Sequence, residues 1–283
     1  MRIATWNINS VRARADRAVA WLERSGTDVL ALQETKCADA QFPYSVFEAA
    51  GYEFAHVGAD QWNGVAIVSR VGIEDVEIGF PEQPVFGGED PVVEARALGA
   101  TCGGVRLWSL YVPHGRTPDN PHYAYKLEWL ERLRRAAAGW IAPRSGDPDA
   151  QVALVGDWNV IPLDTDVWDV TKFEGHTHVT PAERAAFFAF ADAGYTEVSR
   201  VHVPDEGTFT YWDYQQLAFP KNRGLRIDFA YTSPALTARV TGVTIDREER
   251  KGKAPSDHVP VVVDLTDTPG RADEAEHADG ENR

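Results

Sequence analysis

The sequence predicts a layered α/β domain. Apolar runs recur along the chain and are flanked by turn residues, and many of them lack a polar face, which is typical of buried strands. Helical stretches lie between these runs, and in one of them Leu127, Leu130 and Leu133 repeat at a spacing of three on one face. The predicted strands are Ile3–Ile8, Val29–Leu32, Val65–Val68, Val105–Val112, Val152–Val155, Ile227–Tyr231 and Val259–Leu265, and the main predicted helices are Val11–Arg24 and Tyr123–Trp140.

The length and composition of the chain indicate that it is not divided into several domains. Its 283 residues, 43% of them hydrophobic, suffice for one large core, and no fixed-period repeat or interior low-complexity linker divides them. We predict a single domain over residues 1–265. Residues 266–283 are acidic and poor in large apolar groups, so we predict a disordered tail there.

Several classes of protein are excluded by composition. No apolar run approaches the roughly 18 residues of a membrane span, and no signal segment precedes the first predicted strand. We therefore expect a cytoplasmic protein with no membrane contact. The two cysteines, Cys37 and Cys102, have no metal-ligand spacing and are predicted to be reduced thiols.

The net charge of -15 at first argues against a nucleic-acid substrate. Cations nevertheless cluster locally, in residues 12–17, 221–226 and 247–253. Any one of these clusters is more simply interpreted as a solvated surface. Because they lie close in sequence to polar motifs, we interpret them together as local phosphate contacts.

Four short polar motifs adjoin the predicted strands. They hold carboxylates, amides and one imidazole, the groups needed for metal-assisted phosphoryl chemistry. Because they lie at both ends and in the middle of the chain, only a fold that gathers distant strand ends makes them one site. The motifs are Trp6-Asn7, Gln33-Glu34-Thr35-Lys36, Gly156-Asp157-Trp158-Asn159 and Ser256-Asp257-His258.

Glu34 is the leading candidate for a metal ligand. It follows the apolar run that begins at Val29, so its carboxylate is expected at the end of a sheet. Mg²⁺ prefers oxygen ligands and keeps several waters, so one carboxylate with help from Asn9 and Asp257 suffices. The alternative for an isolated motif is a salt bridge between Glu34 and Lys36.

Asp157 and Asn159 are expected to face one pocket, because residues two apart in a strand share a side. Asp157 then activates or orients a water, and Asn159 positions it or holds a phosphate oxygen. The alternative is a turn cap at the strand end. His258 is suited to neutralising charge on phosphorus, and Asp228 is a credible carboxylate partner, although a histidine beside an aspartate is often only structural.

The motifs together resemble the exodeoxyribonuclease III family, abasic-site endonucleases of the endonuclease/exonuclease/phosphatase superfamily. The resemblance runs in order from about Met1 to Leu265. It rests on the four motifs above and on Leu110-Tyr111-Val112-Pro113, Asp166-Val167-Trp168-Asp169, Tyr211-Trp212-Asp213-Tyr214 and Arg226-Ile227-Asp228.

The resemblance implies a four-layer α/β sandwich of the DNase I type, in which two packed mixed β-sheets are flanked by helices. It implies a repair enzyme that cleaves duplex DNA 5′ to abasic sites, with 3′-5′ exonuclease and 3′-phosphatase or phosphodiesterase activity, and that uses Mg²⁺ or in its place Mn²⁺. Glu34, Asn9 and Asp257 then correspond to the metal site. Tyr111, Asp157, Asn159, Asp228, His258 and Asn7 correspond to the catalytic groups.

Further residues are expected to contact the substrate. Tyr211 and Trp212 are predicted to wall a pocket for an extruded baseless sugar, although strand aromatics are often core residues. His114 stands where an Asn or Gln is usual in the family, and Leu225 where several relatives carry Trp. The predicted substrate contacts are Lys36, His114, Arg116, Tyr211, Trp212, Asn222 and Leu225.

Two other interpretations share part of this evidence. A phosphatase or phosphodiesterase acting on inositol phosphates, lipids or RNA would use the same catalytic groups, but the basic and aromatic segment 211–226 disfavours it. A DNA-binding module without catalysis would use the acids only to hold the fold. We expect a monomeric enzyme whose partner is double-stranded DNA containing abasic sites or 3′ ends.

Overall fold

A computed structural model describes residues 1–143 and 146–266 of the chain. The predicted acidic tail lies outside the described residues except for Thr266, so that part of the sequence analysis stays a prediction. No helix in these two described ranges is both long and apolar enough to cross a membrane.

The described residues alternate between short strands and helices. The strands are β1 (Arg2–Asn7), β2 (Val29–Gln33), β3 (Glu53–Val57), β4 (Val65–Ser69), β5 (Glu74–Ile78), β6 (Ala97–Cys102), β7 (Val105–Tyr111), β8 (Val152–Asp157), β9 (Thr196–Glu197), β10 (Asp228–Thr232), β11 (Val240–Ile245) and β12 (Val261–Leu265). The helices are α1 (Val11–Ser25), α2 (Tyr44–Ala49), α3 (Pro121–Trp140), α4 (Pro181–Asp192), α5 (Val198–His202) and α6 (Pro234–Thr237).

The strands form two mixed six-stranded sheets. The order in the first sheet is β11-β12-β1-β2-β4-β3, and the order in the second is β5-β6-β7-β8-β10-β9. Each sheet contains one parallel pair, β1 with β2 and β7 with β8, while the other pairs are antiparallel. Both parallel pairs lie in the middle of their sheets, which fits the near-continuous apolar runs of those strands.

Three apolar clusters stack the sheets and helices into four layers. Ile67 of β4 and Leu107 of β7 belong to the cluster between the two sheets. Trp21 of α1 covers the outer face of the first sheet, and Trp129 of α3 covers the outer face of the second. The predicted four-layer sandwich is therefore confirmed. The stability of this arrangement comes from burying apolar side chains on both faces of both sheets.

The register of the strands brings the polar motifs to one end of the sandwich. In the first sheet Asn7 pairs with Gln33, immediately before Glu34. In the second sheet Asp157 pairs with Tyr111 on one side and with Asp228 on the other. Asn7, Tyr111 and Asp157 end their strands, and Asp228 begins β10, so the apolar pattern that buries each strand also places its polar end at this edge.

The cysteines also match expectation. Cys37 and Cys102 are both buried free thiols. Burial raises the pKa of the Cys102 thiol to about 11 and also raises the pKa of Cys37, so neither group is a reactive thiolate at neutral pH.

Candidate active site

Asn7 joins the ends of the two sheets. Its side chain is fully buried, and its amide nitrogen donates to Glu34 Oε1 at 2.7 Å and to Asp157 Oδ2 at 2.9 Å. Glu34 belongs to the first sheet and Asp157 to the second. One amide group therefore fixes the relative position of two carboxylates that are far apart in sequence.

Glu34 lies among oxygen atoms and one cation. Its backbone has φ 52°, a left-handed conformation, and its carboxylate lies 2.7 Å from Lys36 Nζ. Lys36 also donates to Asn9 Oδ1 at 2.5 Å, and the Asn9 amide donates to Asp257 Oδ1 at 3.0 Å. Burial opposes ionisation of Glu34, but Lys36 and Asn7 outweigh it and hold the pKa of this carboxyl below its usual value.

This donor set fits a hard divalent ion. Ligand atoms of Glu34, Asp157 and His258 lie within 4.8 Å of one another. The His258 ring is paired with Asp228. The available donors are therefore carboxylate and amide oxygens, which suit Mg²⁺ or Mn²⁺ rather than a softer metal. Lys36 already bridges the oxygens of Glu34 and Asn9, which places a positive charge where these groups converge.

Asp157 is held in a fixed orientation by the turn that follows β8. Its Oδ1 accepts from the backbone N–H of Asn159 at 2.9 Å, and the Asn159 side chain donates to the Val112 carbonyl at 2.9 Å. Gly156, the residue of β8 just before Asp157, lets the neighbouring strand β7 approach closely, because it has φ 155° and a Cβ there would lie 1.9 Å from the Leu110 carbonyl oxygen. Burial raises the pKa of Asp157 to about 7, although the neighbouring His258 acts in the opposite direction. A carboxyl with this pKa can accept a proton from water near neutral pH.

His258 is paired with a buried carboxylate. Its Nδ1 lies 2.9 Å from Asp228 Oδ2, and its Nε2 points to Asp157 Oδ2 at 3.8 Å. Burial opposes protonation of the ring, but Asp228 and Asp157 outweigh it and raise the pKa of His258 to about 10. Trp6 Nε1 donates to the His258 carbonyl at 3.1 Å, so β1 anchors the backbone of His258. The ring is therefore a fixed positive charge that can stabilise negative charge on phosphorus.

Tyr111 lies at the end of β7, next to Asp157. The Arg96 guanidinium lies over the Tyr111 ring, 4.8 Å from its centroid. Burial, reinforced by the Glu34 charge, raises the pKa of the phenol well above its usual value. The hydroxyl is therefore neutral at physiological pH and acts as a hydrogen-bond donor rather than as a base.

A cavity of about 440 Å³ gathers these groups with several of the predicted substrate contacts. Glu34, Tyr111, Asp157, Asn159, Asp257 and His258 line it, together with His114, Tyr211 and Leu225. The Tyr211 ring lies 4.9 Å from the His258 ring. The Asp157 carboxyl, the His258 imidazole and the Glu34 carboxylate thus share one cavity.

Trp212 is placed differently from the expectation. The ring is fully buried in a cluster with Phe209 and Val259 and does not line the cavity. Tyr211 and Trp212 are consecutive in an extended segment, so their side chains point to opposite faces. Since Tyr211 faces the cavity, Trp212 must face the core, and the prediction that it walls the pocket is corrected.

The other predicted substrate contacts lie around the mouth. His114 and Arg116 are exposed and line a second groove that meets the cavity at His114. Asn222 is exposed but accepts from the Trp212 indole at 3.3 Å, outside the cavity lining, so it is placed as a support of Trp212. Lys36 lies inside the site, beside Glu34.

Several cavity residues were missed by the sequence analysis. His178 lines the cavity with a left-handed φ of 79° and packs its ring 4.5 Å from the His114 ring. Trp168 and Phe173 line the far side. Trp168 was already part of a recognised motif, whereas the loop around His178 has no periodic pattern that would have drawn attention to it.

A buried ion pair supports this loop from behind. Lys126 of α3 and Glu183 of α4 have fully buried side chains in contact. Lys126 Nζ donates to the Asn159 carbonyl at 2.6 Å, and Glu183 Oε1 accepts from the His178 backbone N–H at 2.9 Å. The pair therefore ties the turn of Asn159 to the loop of His178.

Known proteins are similar to this chain over nearly its whole length. A model of the Endonuclease/Exonuclease/phosphatase family matches residues 4–258. Exodeoxyribonuclease III of Haemophilus influenzae is 30% identical over 272 residues, covering 92% of this chain and 98% of that protein.

Two solved structures superpose closely on the chain. A 3′ phosphatase from Neisseria, bound to a product DNA hairpin, has a TM-score of 0.86 and 34% identity and covers 94% of this chain and 99% of its own. An AP endonuclease from Archaeoglobus fulgidus has a TM-score of 0.85 and 33% identity, with the same coverage of 94% and 99%.

Proposed function

We propose that this chain, which belongs to the endonuclease/exonuclease/phosphatase family, is a metal-dependent DNA repair nuclease that cleaves the phosphodiester 5′ to an abasic site in duplex DNA. The same site also removes 3′-terminal nucleotides and 3′-phosphates. Similarity to exodeoxyribonuclease III, to an AP endonuclease and to a 3′ phosphatase supports this range of substrates.

One observation carries the proposal. Glu34, Asp157 and His258 come from widely separated parts of the chain, yet their ligand atoms lie within 4.8 Å of one another in one cavity. A structural acid cluster does not require a carboxyl with a pKa of about 7 beside an imidazolium with a pKa of about 10. Burial disfavours the charged form of Asp157, whereas the neighbouring carboxylates favour the charged form of His258, and strongly perturbed pKa values of this kind are typical of an active site.

The residues divide the work of hydrolysis between them. Asp157 accepts a proton from the attacking water, and Asn159 and Asn7 hold that carboxylate in place. His258, fixed by Asp228, offers its charge to the oxygens of the phosphorus centre as negative charge develops there. The neutral Tyr111 hydroxyl donates to a phosphate oxygen.

The proposed metal site consists of Glu34 with Asn9 and Asp257, and we assign Mg²⁺ to it, with Mn²⁺ as a substitute. Such an ion polarises the phosphate and offsets its charge. The ligands are hard oxygens, and the carboxyl pKa of Glu34 lies below its usual value, so the group is ionised and ready to bind a cation at neutral pH.

The substrate contacts surround this centre. We assign Lys36, His114 and Arg116 to backbone phosphates and Tyr211 and Leu225 to the sugar that follows the scissile bond. Phosphate contacts position the duplex, while the shape of the cavity selects what enters it. We further propose that the enzyme acts as a monomer, because every proposed catalytic group comes from one chain.

A three-substrate assay tests the function. Purified protein with Mg²⁺ is given duplexes that carry an internal tetrahydrofuran residue, a recessed 3′ end or a 3′-phosphate. We expect cleavage of all three, loss of activity with EDTA, and recovery with Mg²⁺ or Mn²⁺. An intact tetrahydrofuran duplex would contradict the abasic-site activity, and cleavage that persists in EDTA would contradict metal dependence.

The Asp157→Asn variant tests the assigned chemistry. Asn keeps the size of the side chain but cannot accept the proton, so the rate should fall by about 10²–10⁴-fold. Glu174→Gln is a matched control on an exposed acid outside the cavity lining, and it should leave the rates unchanged. Unchanged cleavage by Asp157→Asn would favour a DNA-binding protein in which the acids only support the fold.

A further inference from the structure

The far wall of the cavity has no role in the phosphate chemistry assigned above. It consists of Trp168, Phe173 and Leu225, together with Ile227 and Ala218. These side chains are apolar or aromatic, whereas the catalytic end is lined by carboxylates and His258. The cavity therefore offers apolar and aromatic side chains for a second chemical group, in addition to the charged groups assigned to the phosphate.

The backbone attaches this wall firmly to the catalytic end. Isolated bridges join His258 to Tyr211, Tyr211 to Leu225, and Leu225 to Val167, the neighbour of Trp168. The Trp168 N–H also donates to the Gly224 carbonyl at 3.1 Å. These three pairings span roughly 14 Å of backbone at the usual interstrand spacing of about 4.8 Å. The wall is thus held at a fixed distance from His258.

Trp168 and Arg223 form the outer part of the wall. The Arg223 guanidinium lies over the Trp168 ring at 4.8 Å from the centroid, and both residues line the cavity. Among the described residues, Arg223 has no carboxylate partner within ion-pair distance. Trp168 keeps 36% of its surface exposed and lines the cavity, so the residue is accessible to a ligand there.

A baseless sugar does not account for this wall. The cavity of about 440 Å³ falls in the range of pockets that hold whole small molecules. Gln215 and Gln216 also place amide groups in the lining. An indole and an unpaired guanidinium are the groups that proteins use to stack on nucleobases in single-stranded nucleic acid.

We propose that Trp168, supported by Arg223, stacks on the base of the nucleotide that follows the scissile phosphodiester, so that this chain binds a 3′-terminal nucleotide through its base as well as its phosphate. The proposal rests on the nuclease function proposed above and deepens it by naming the substrate group that the far wall binds. Because every base has a flat π-face, the contact favours a base over no base without selecting among the four bases. Trp168 is thus a specificity-determining residue for exonuclease action.

The test compares two substrates that differ only in the base. Both are duplexes with a recessed strand whose last residue is joined by the same phosphodiester, and that residue is either a thymidine nucleotide or a tetrahydrofuran residue. Single-turnover kcat/KM is measured for removal of each. For Trp168→Ala we expect the ratio of thymidine removal to tetrahydrofuran removal to fall about thirtyfold, the middle of the range for loss of one base-stacking contact.

Companion variants exclude simpler explanations. Trp168→Phe keeps a stacking ring and should restore most of the ratio, and Arg223→Ala should lower it in the same direction. Phe188→Ala changes another partly exposed aromatic, in α4 and outside the cavity, and should leave the ratio unchanged. Thermal unfolding of each variant identifies any change caused by misfolding.

Each outcome has a distinct meaning. A lower ratio for Trp168→Ala with recovery in Trp168→Phe supports the proposal. An unchanged ratio, or an equal fall on both substrates, overturns it while the nuclease function stands. Failure of the unaltered protein to cleave either substrate would overturn the nuclease function itself, and the stacking proposal with it.

Discussion

The Lys126–Glu183 pair permits a quantitative test of how the site is supported. Both side chains are fully buried and in contact, so neither charge is stabilised by water. Replacing one partner of a buried pair leaves the other charge uncompensated and costs about 3–5 kcal/mol. The hydrogen bonds that each partner keeps decide where in this range each variant falls.

Glu183 is the better satisfied of the two. Without Lys126 its oxygens would still accept from Thr177 Oγ1 at 2.6 Å, the His178 N–H at 2.9 Å, and Thr180 Oγ1 at 2.8 Å. Lys126 without Glu183 would keep only the carbonyls of Asn159 and His114, at 2.6 and 3.3 Å. We therefore expect Lys126→Met to cost about 3 kcal/mol and Glu183→Gln about 4 kcal/mol of unfolding free energy.

The double variant should be more stable than the sum of these losses implies, because no charge remains buried. A coupling of about 3 kcal/mol is expected for contacting residues of this kind. Equilibrium urea denaturation measures all three variants. The melting temperature of Lys126→Met should fall by about 6–12 °C at about 2–4 °C per kcal/mol.

A surface lysine provides the matched control. Lys251 pairs with Glu248, and their side chains are 54% and 70% exposed, so Lys251→Met should cost less than about 0.5 kcal/mol. Because Lys126 holds the Asn159 carbonyl, Lys126→Met should also lower kcat more than it raises KM. A cost for Lys126→Met as small as that of the control, or strictly additive single variants, would refute the reasoning.

Two further predictions concern the close contact between β7 and β8 at Gly156 and the buried ring of His122. Gly156→Ala should destabilise the protein by about 3 kcal/mol or more, because its Cβ would lie 1.9 Å from the Leu110 carbonyl oxygen, a backbone atom. Gly139→Ala, in α3 with nothing within 4 Å, should instead stabilise it by about 0.5–1 kcal/mol, and equal denaturation midpoints for the two variants would count against this account. Burial, with Arg96 nearby, lowers the pKa of His122 to about 4, and the Gly115 N–H donates to its Nδ1, so the folded protein holds this ring neutral. Between pH 6.5 and pH 4 the unfolded chain binds the extra proton, so stability falls as pH falls through this window, and His122→Asn should reduce that fall in urea titrations at several pH values. If the stability of His122→Asn had the same pH dependence as that of the unaltered protein, this explanation would be contradicted.

The sequence predicted which residues gather at the centre of the cavity because each of them adjoins an apolar run. The run from Val152 to Val155 fixes β8, and Asp157 then stands at its end. Such a pattern can be recognised locally, and the register of the strands follows from burying both faces of each sheet. The predicted helix Val11–Arg24 also differs by only one residue from α1.

Other elements have no comparable pattern. Four of the five residues of β5 are exposed, so the strand has no apolar run to reveal it. Helix α4 begins with a capping box formed by Thr180 and Glu183, a recognisable signal that the sequence analysis did not use. Trp212 was misassigned although strand alternation with Tyr211 would have placed it in the core.

The far wall of the cavity could not be predicted for a different reason. Trp168 and Arg223 are more than fifty positions apart and meet only because residues 167–168 and 224–225 pair outside the regular sheets. Neither residue belongs to a periodic element. Such contacts depend on loop geometry, which local sequence patterns do not determine.

The strongly negative net charge is compatible with the proposed substrate because of where the cations lie. In the 247–253 segment the Arg250 guanidinium donates to the Trp212 carbonyl, and Arg247 stacks on Phe219, so both serve the fold. Lys36 lies within the site, and Arg12 and Arg116 are exposed near its edges. A duplex would therefore meet a small number of free cations at the cavity rather than a broad basic surface.

Because each neutralised phosphate contributes about 0.9 to the slope of log affinity against log salt, few contacts give a shallow slope. Discrimination then depends on the fit of one nucleotide in the cavity more than on general attraction to DNA.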